Sequence, residues 1–176
     1  KKFPHHVFKS MTDTETIVHL YEELGEEVFS RLDGMFALAI YDFKKDKLIL
    51  ARDRAGQKPL YWGKFKDTVI FGSELKSILA HADSRREVDI ESLNKYLALD
   101  YIPTPHTIFK HIYKLEPASY LVLQGGEIEI NKFWKPNFSA NNTSFEEATK
   151  KIDSLVESAV KKRMLSDVPL GVFLSG

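Results

Sequence analysis

Asp13 is the first residue whose type and position could serve chemistry, because it directly precedes an apolar pattern of helical spacing. A carboxylate at such a position is by default a helix cap that accepts backbone N–H groups. It could instead bind the ammonium group of an amino-acid substrate. The residues alone leave both interpretations open.

A second candidate is the segment 52–61, which places charges, a glycine and a proline between two strand-like runs. One interpretation is a surface turn in which Gly56 supplies an unusual backbone angle and Asp53 pairs with an arginine. The other is a loop beside a binding site, because functional groups often lie on loops that a rigid sheet supports. Neither interpretation requires proton transfer by this segment.

The third candidate is Ser175-Gly176, which follows the apolar run 170–174. A strand that opens into small residues fits the start of a phosphate-binding loop, whose backbone amides would surround an anion. A strand followed by a small-residue turn is also common without any ligand.

Thiol chemistry is excluded within these residues, because the 176-residue chain contains no cysteine. The sequence alone assigns no catalytic residue. The six histidines cluster only at His5-His6, and neighbours in sequence generally point in different directions. No metal ligand is assigned either.

Charge and hydropathy restrict the partners. Lysine plus arginine and aspartate plus glutamate number 25 each, so no net field favours nucleic acid or an anionic membrane. No apolar run approaches the roughly 20 residues that cross a bilayer. A cytoplasmic protein that acts on small molecules is expected. The chain begins without methionine and stops after an apolar run, so we interpret it as a fragment.

Helical spacing predicts three main helices, at 14–24, at 90–99 after the cap Asp89, and at 145–164. Ser144 and Glu147 form a capping-box pattern before the last helix. A shorter helix is predicted at 74–80.

Strands are predicted at 34–42 and 48–51 as a hairpin, near 60–62 and 69–71, and at 120–123 and 127–130 around Gly125-Gly126. A further buried strand is predicted at 170–174. Prolines make 100–112 irregular and a plausible domain crossing, and the polar segment 137–144 is typical of a linker.

The order of several motifs resembles one family, the glutamine-hydrolysing asparagine synthetases. The matching segments in the first half are Thr12-Asp13-Thr14-Glu15, Leu32-Asp33-Gly34-Met35-Phe36-Ala37, Arg52-Asp53-Arg54-Ala55-Gly56-Gln57-Lys58-Pro59-Leu60-Tyr61 and Gly72-Ser73-Glu74-Leu75-Lys76. Further on they are Thr107-Ile108-Phe109-Lys110, Leu115-Glu116-Pro117-Ala118 and Val168-Pro169-Leu170-Gly171-Val172-Phe173-Leu174-Ser175-Gly176. The resemblance extends over the whole chain.

The resemblance implies two domains. Residues 1–136 would be the C-terminal part of a class II glutamine amidotransferase (glutaminase) domain, a partial α+β sandwich of the N-terminal-nucleophile type with two packed antiparallel sheets between helices. Residues 137–176 would be a linker, a helix and the first strand of an ATP-pyrophosphatase domain, which is a doubly wound α/β fold.

The resemblance also implies roles for particular residues. Asp13 would bind glutamine, since a carboxylate can neutralise the substrate ammonium and fix its orientation. Ser175 and Gly176 would face the phosphates of ATP, and the backbone of Phe173 would contact the adenine. The family's cysteine nucleophile is absent from these residues, so the fragment alone is expected to be inactive.

The implied reaction in the complete enzyme is asparagine synthesis. Ammonia from glutamine would attack an aspartyl-adenylate formed from aspartate and ATP, with Mg2+ as cofactor, giving asparagine, AMP and pyrophosphate. The expected partners are glutamine, aspartate, ATP and a second copy in a homodimer, with no nucleic acid and no membrane. Alternatives are a related amidotransferase or β-lactam synthetase-like enzyme with another acceptor, or a non-catalytic module that retains the glutaminase fold.

Overall fold

The computed structural model of the chain describes residues 6–139 and 143–174. The chain divides into two compact units, Lys1–Pro136 and Asn137–Gly176. The irregular segment 100–112 lies inside the first unit, so its interpretation as a domain crossing is wrong. None of the helices in the described ranges is both long and apolar enough to cross a bilayer.

The helices of the first unit follow the predicted apolar spacing. They are α1 Asp13–Leu24, α2 Val28–Arg31, α3 Leu75–Leu79 and α4 Ile90–Leu99, and one turn of 3₁₀ helix, Gly25–Glu27, joins α1 to α2. The predicted cap of α4 is confirmed, because the side chain of Asp89 accepts a hydrogen bond from the Glu91 amide. Asp100 in the left-handed conformation ends that helix.

Within residues 6–136, seven strands form two antiparallel sheets. The strands are β1 Ala37–Asp42, β2 Lys47–Arg52, β3 Tyr61–Phe65, β4 Thr68–Gly72, β5 Ile112–Lys114, β6 Ser119–Gln124 and β7 Glu127–Lys132. One sheet has the order β1-β2-β6-β7 and the other β4-β3-β5. Both predicted hairpins, β1 with β2 and β6 with β7, are confirmed, and the strands predicted near 60–62 and 69–71 pair with each other as β3 and β4.

The core shows how the sheets are layered. Ile49 and Ala51 of β2 pack against Val28 and Phe29 of α2, whereas the intervening Leu50 belongs to a cluster with residues beside the second sheet. Because successive strand residues point to opposite faces, β2 is buried on both sides. The four-stranded sheet therefore lies between helices on one face and the second sheet on the other.

The outer face of the second sheet is covered by α3. Phe65 of β3 and Ile112 of β5 form a buried cluster with Ile78 of α3. The layers of this unit thus run helix, sheet, sheet, helix. The predicted mixed α/β unit with antiparallel sheets is confirmed in this coarse form.

The second unit contains α5, Phe145–Arg163, which begins with the predicted capping box. The Glu147 amide donates to Oγ of Ser144 at 3.3 Å, and the Ser144 amide donates to Oε2 of Glu147 at 3.2 Å. Both bonds satisfy amides that lack helical partners.

The predicted strand at 170–174 is wrong for the described residues, which have an irregular backbone there. The side chain of Phe173 is fully exposed. A strand requires a neighbour for its hydrogen bonds, and no strand follows β7 within 133–139 and 143–174.

Candidate functional site

A cleft of about 360 Å³ opens at the N-terminal end of α1. Its walls come from α1, from the approach to and first part of β1, from the loop after β2, and from the start of the segment before α3. The lining residues are Asp13, Thr14, Ile17, Val18, Met35, Phe36, Ala37, Leu38, Ala39, Ile40, Lys58, Pro59 and Ser73. Each of the four motifs in the first half of the chain contributes at least one of them, although the motifs span 65 residues of sequence.

Asp13 lines this cleft and is not the cap of α1. Thr12 has an extended backbone and its Oγ1 accepts from the Glu15 amide at 3.4 Å, so Thr12 is the N-cap. Asp13 is the first helical residue, and its exposed carboxylate accepts a long hydrogen bond of 3.4 Å from the Thr14 hydroxyl. The interpretation of Asp13 as a cap is therefore wrong, whereas its negative charge suits the helix N-terminus.

The loop that supplies Lys58 and Pro59 is built around Asp53, which is fully buried. Its carboxylate accepts hydrogen bonds from four backbone amides, at 3.0–3.2 Å. The donors are the amides of Phe36, Ala55, Gln57 and Lys58. The expected pairing of Asp53 with an arginine is wrong among the described side chains, since backbone amides occupy both carboxylate oxygens.

These contacts also determine the charge of Asp53. Burial by itself raises its pKa, but the amides of Lys58, Gln57, Phe36 and Ala55 stabilise the ionised form more strongly, so the pKa is lowered overall. The carboxylate is thus a fixed anion that shapes the loop.

Arg52 holds the same loop from the other side. Its guanidinium donates to three backbone carbonyls, those of Lys58 at 2.8 Å, Leu115 at 2.7 Å and Gly56 at 2.6 Å. Gly56 has φ +64°, as the turn interpretation predicted, and lies against Pro117. The loop is consequently both a tight turn and part of the cleft wall.

The other predicted site residues belong to the second unit. Phe173 is exposed on an irregular segment, and Ser175 and Gly176 lie outside the described residues. The cleft itself is formed by the first unit alone.

Sequence reasoning identified Asp13 but not the residues around it. Met35, Lys58, Pro59 and Ser73 all fall inside the matched motifs, which was the available signal. Periodicity could not show that these motifs meet, because their approach depends on strand pairing between distant segments.

The cleft combines one exposed carboxylate with an apolar wall that includes Ile17, Val18, Met35 and Pro59. Such a surface can bind a small molecule that has a cationic group on a partly apolar frame. The cleft can therefore bind such a molecule and hold it in one orientation.

Comparisons with known proteins show which family the chain resembles. A family model described as "Glutamine amidotransferase domain" matches residues 2–134, and one described as "Asparagine synthase" matches residues 151–176. Asparagine synthetase [glutamine-hydrolyzing] 3 of Bacillus subtilis is 38% identical over 97% of this chain. A putative asparagine synthetase 2 of Methanocaldococcus jannaschii is 38% identical over 94% of it. The chain spans only 28% and 33% of the lengths of these two relatives.

A solved structure of a glutamine phosphoribosylpyrophosphate amidotransferase from B. subtilis matches with a TM-score of 0.48 and 20% identity. The matched region covers 80% of this chain and 26% of the amidotransferase chain. These values are too low to add to the sequence match. The resemblance to glutamine-hydrolysing asparagine synthetases is confirmed by the curated relatives. Since one family model matches well over half of the residues, the chain belongs to the glutamine amidotransferase domain family.

Proposed function

We propose that this chain is part of a glutamine-hydrolysing asparagine synthetase, an ATP-dependent carbon–nitrogen ligase. In the whole protein, glutamine hydrolysis would release ammonia, which would attack an aspartyl-adenylate to give asparagine, AMP and pyrophosphate. The observation that carries the proposal is the order of the two family matches, glutaminase at 2–134 and synthase at 151–176, along one chain.

The glutaminase role of the first unit, residues 1–136, is supported by the cleft at α1. The layered antiparallel sheets are compatible with a sandwich of the N-terminal-nucleophile type. Asp13 would bind the ammonium group of glutamine, and the neighbouring Ile17 and Met35 would contact its aliphatic part. A charged group that holds the substrate in one orientation lowers the entropic part of the barrier.

The cysteine nucleophile that the family resemblance implies is not among the 176 residues, and in this proposal it would be supplied from outside the chain. We expect the chain alone to show no glutaminase turnover. Asp53 does not replace the nucleophile or its base, since backbone amides occupy its carboxylate.

The ATP-binding role of residues 137–176 rests on the asparagine synthase match. Ser175 and Gly176 would surround the phosphates with backbone amides, and the backbone of Phe173 would contact the adenine. Magnesium is expected beside ATP, where it neutralises phosphate charge. Segment 170–174 contains no carboxylate, so ligands for this ion would come from elsewhere in the protein.

A homodimer in the cytoplasm, acting on glutamine, aspartate and ATP, completes the proposal, and the family resemblance alone supports that assembly and location. Its rival within enzymes is an amidotransferase or β-lactam synthetase-like protein with another carboxylate acceptor.

The deciding experiment is an assay of glutamine-dependent pyrophosphate release by the whole protein. We expect release to require aspartate and to persist when ammonia replaces glutamine. Release that requires a different carboxylic acid would contradict the asparagine assignment, and no release under any of these conditions would favour a non-catalytic module.

A further inference from the structure

Three side chains that do not line the cleft converge where segment 6–10 lies against α1. They are His6, His19 and Glu22, and one potential ligand atom of each lies within 4.8 Å of the others. The sequence pattern drew attention only to His5-His6 and assigned no metal ligand. Folding instead brings His6 to two residues of α1.

Helix geometry explains the proximity of two of the three residues. His19 and Glu22 are separated by three positions, so they share one face of α1. The position of the third residue, His6, depends on Glu15, one turn earlier in α1. The Glu15 carboxylate accepts hydrogen bonds from the amides of Lys9 and Ser10, both at 2.6 Å. These two bonds hold the preceding segment against the helix, and the imidazole ring of His6 lies beside that of His19, with ring centroids 4.4 Å apart and the planes tilted by 41°.

Two distances within the cluster are close to those between ligands of one metal ion. Oε2 of Glu22 lies 3.1 Å from Nδ1 of His19 and 3.6 Å from Nδ1 of His6. Zinc binds histidine nitrogen and carboxylate oxygen at about 2.0–2.2 Å, so two of its tetrahedral ligands lie about 3.3–3.6 Å apart. Small side-chain rotations would bring all three atoms to one ion.

The far nitrogens of both imidazoles face carboxylates. Nε2 of His6 lies 2.8 Å from Oε1 of Glu23. Nε2 of His19 is buried without a hydrogen-bond partner, and Oε1 of Glu15 is 3.6 Å away. A histidine that binds metal through Nδ1 carries its proton on Nε2 and commonly donates it to a carboxylate. A metal at Nδ1 would therefore give the buried Nε2 of His19 a defined role as a donor to Glu15.

We propose that Nδ1 of His6, Nδ1 of His19 and the carboxylate of Glu22 bind a divalent cation of the zinc class. Two imidazoles with one carboxylate suit zinc better than magnesium or calcium, which prefer oxygen ligands. The Glu22 side chain is 56% exposed, so the fourth position is open to water. The bound ion would clip segment 6–10 to α1, the helix whose first residue is Asp13.

The test is calorimetric titration of the chain, without a polyhistidine tag, with Zn2+ and separately with Mg2+. We expect one Zn2+ ion per chain, no comparable binding of Mg2+, and a rise in thermal unfolding temperature with zinc. His19→Ala and Glu22→Gln should each weaken zinc binding at least about tenfold, and Glu23→Gln about tenfold through the outer carboxylate.

His81→Ala is the matched control, because His81 also lies beside a carboxylate, 3.9 Å from Asp83, but belongs to no three-residue cluster among the described residues. Its zinc affinity should equal that of the unmodified chain. Circular dichroism checks each variant for folding, and if His19→Ala unfolds, the exposed Glu22→Gln decides.

Substitution by Co2+ supplies a second measurement, since tetrahedral coordination by nitrogen and oxygen gives visible absorption that the Glu22→Gln variant should lose. Equal affinity in the unmodified chain and in Glu22→Gln and His19→Ala would overturn the proposal. Binding that is lost in His5→Ala but retained in His19→Ala would also overturn it, because it would assign the ion to the adjacent histidine pair.

Discussion

Phe36 and Asp53 are joined by two reciprocal hydrogen bonds. The Phe36 amide donates to Oδ2 of Asp53 at 3.2 Å, and the Asp53 amide donates to the Phe36 carbonyl at 2.9 Å. The pair extends the β1–β2 ladder, in which Ala37 lies opposite Arg52, by one position. It thereby joins two walls of the cleft, the start of β1 and the loop that presents Lys58 and Pro59.

Asp53→Asn should destabilise the fold strongly. An asparagine retains one acceptor oxygen and directs an NH₂ group at backbone amides that can only donate, so two of the four N–H groups lose their partner. Hydrogen bonds to a charged group contribute roughly 1.5–3 kcal/mol each, and we expect the free energy of unfolding to fall by at least about 2 kcal/mol. Urea denaturation followed by circular dichroism measures this change.

Asp67→Asn is the control for that experiment, because Asp67 is an exposed aspartate in the turn between β3 and β4. Its effect should remain within about 0.5 kcal/mol. Equal stabilities of the two variants would show that the four amide contacts of Asp53 contribute little.

The lowered pKa of Asp53 predicts a pH dependence of stability. The pKa of aspartate in the unfolded chain is about 3.9, which is above its pKa in the folded chain. The stabilisation is therefore complete above about pH 5 and is lost as the pH falls through the folded pKa. The difference in unfolding free energy between the unmodified chain and Asp53→Asn should be constant from pH 8 to about pH 5 and should shrink below about pH 4. A difference that grows on acidification would contradict this assignment.

Gly56→Ala should cost more stability than left-handed backbone strain alone. An alanine Cβ at position 56 would lie 2.8 Å from Cγ of Pro117 and 3.1 Å from Cζ of Arg52. Gly125 provides the matched control, since it has φ +56° and no atom within 4 Å of an added Cβ.

Gly125→Ala should therefore cost about 1–2 kcal/mol from strain, and Gly56→Ala about 1–3 kcal/mol more from crowding. Thermal unfolding of both variants measures the difference. Equal losses at the two positions would mean that Arg52 and Pro117 move aside without cost.

Local patterns in the sequence predicted the elements whose signals are local. α1, α4 and α5 each follow an apolar repeat with a capping side chain at the start, and the strands around Gly125-Gly126 follow an apolar run before the glycines and an alternating pattern after them. By contrast, β2 pairs with β6 across about 70 residues, and no periodicity encodes that partnership. The three residues of β5 are too few to show a pattern.

The sequence likewise predicted only part of the candidate site. Asp13 was identified by the motif that contains it, but the actual cap, Thr12, was not distinguished from it because both residue types cap helices well. The amides around Asp53 could not be predicted, since residue types do not show which backbone N–H groups will face a side chain. The run 170–174 was predicted as a strand from its apolar content alone, which does not supply the neighbouring strand that it needs.

Asp13→Asn should impair the use of glutamine selectively in the whole protein. The substitution removes the negative charge that would pair with the substrate ammonium, and charge-assisted hydrogen bonds contribute about 1.5–3 kcal/mol. We expect KM for glutamine to rise about 10- to 100-fold, whereas synthesis driven by ammonia retains its rate because it bypasses the cleft. Steady-state pyrophosphate release with each nitrogen donor measures both.

The effect of Asp13→Asn on stability can be measured separately from its effect on glutamine use. Thr12 caps α1, so Asp13→Asn should leave the helix intact and lower the thermal stability little. Asp67→Asn, outside the cleft, should leave both glutamine and ammonia kinetics unchanged. If Asp13→Asn reduces the two activities equally, the residue acts through the fold, and if neither changes, the cleft at α1 does not bind the ammonium group of glutamine.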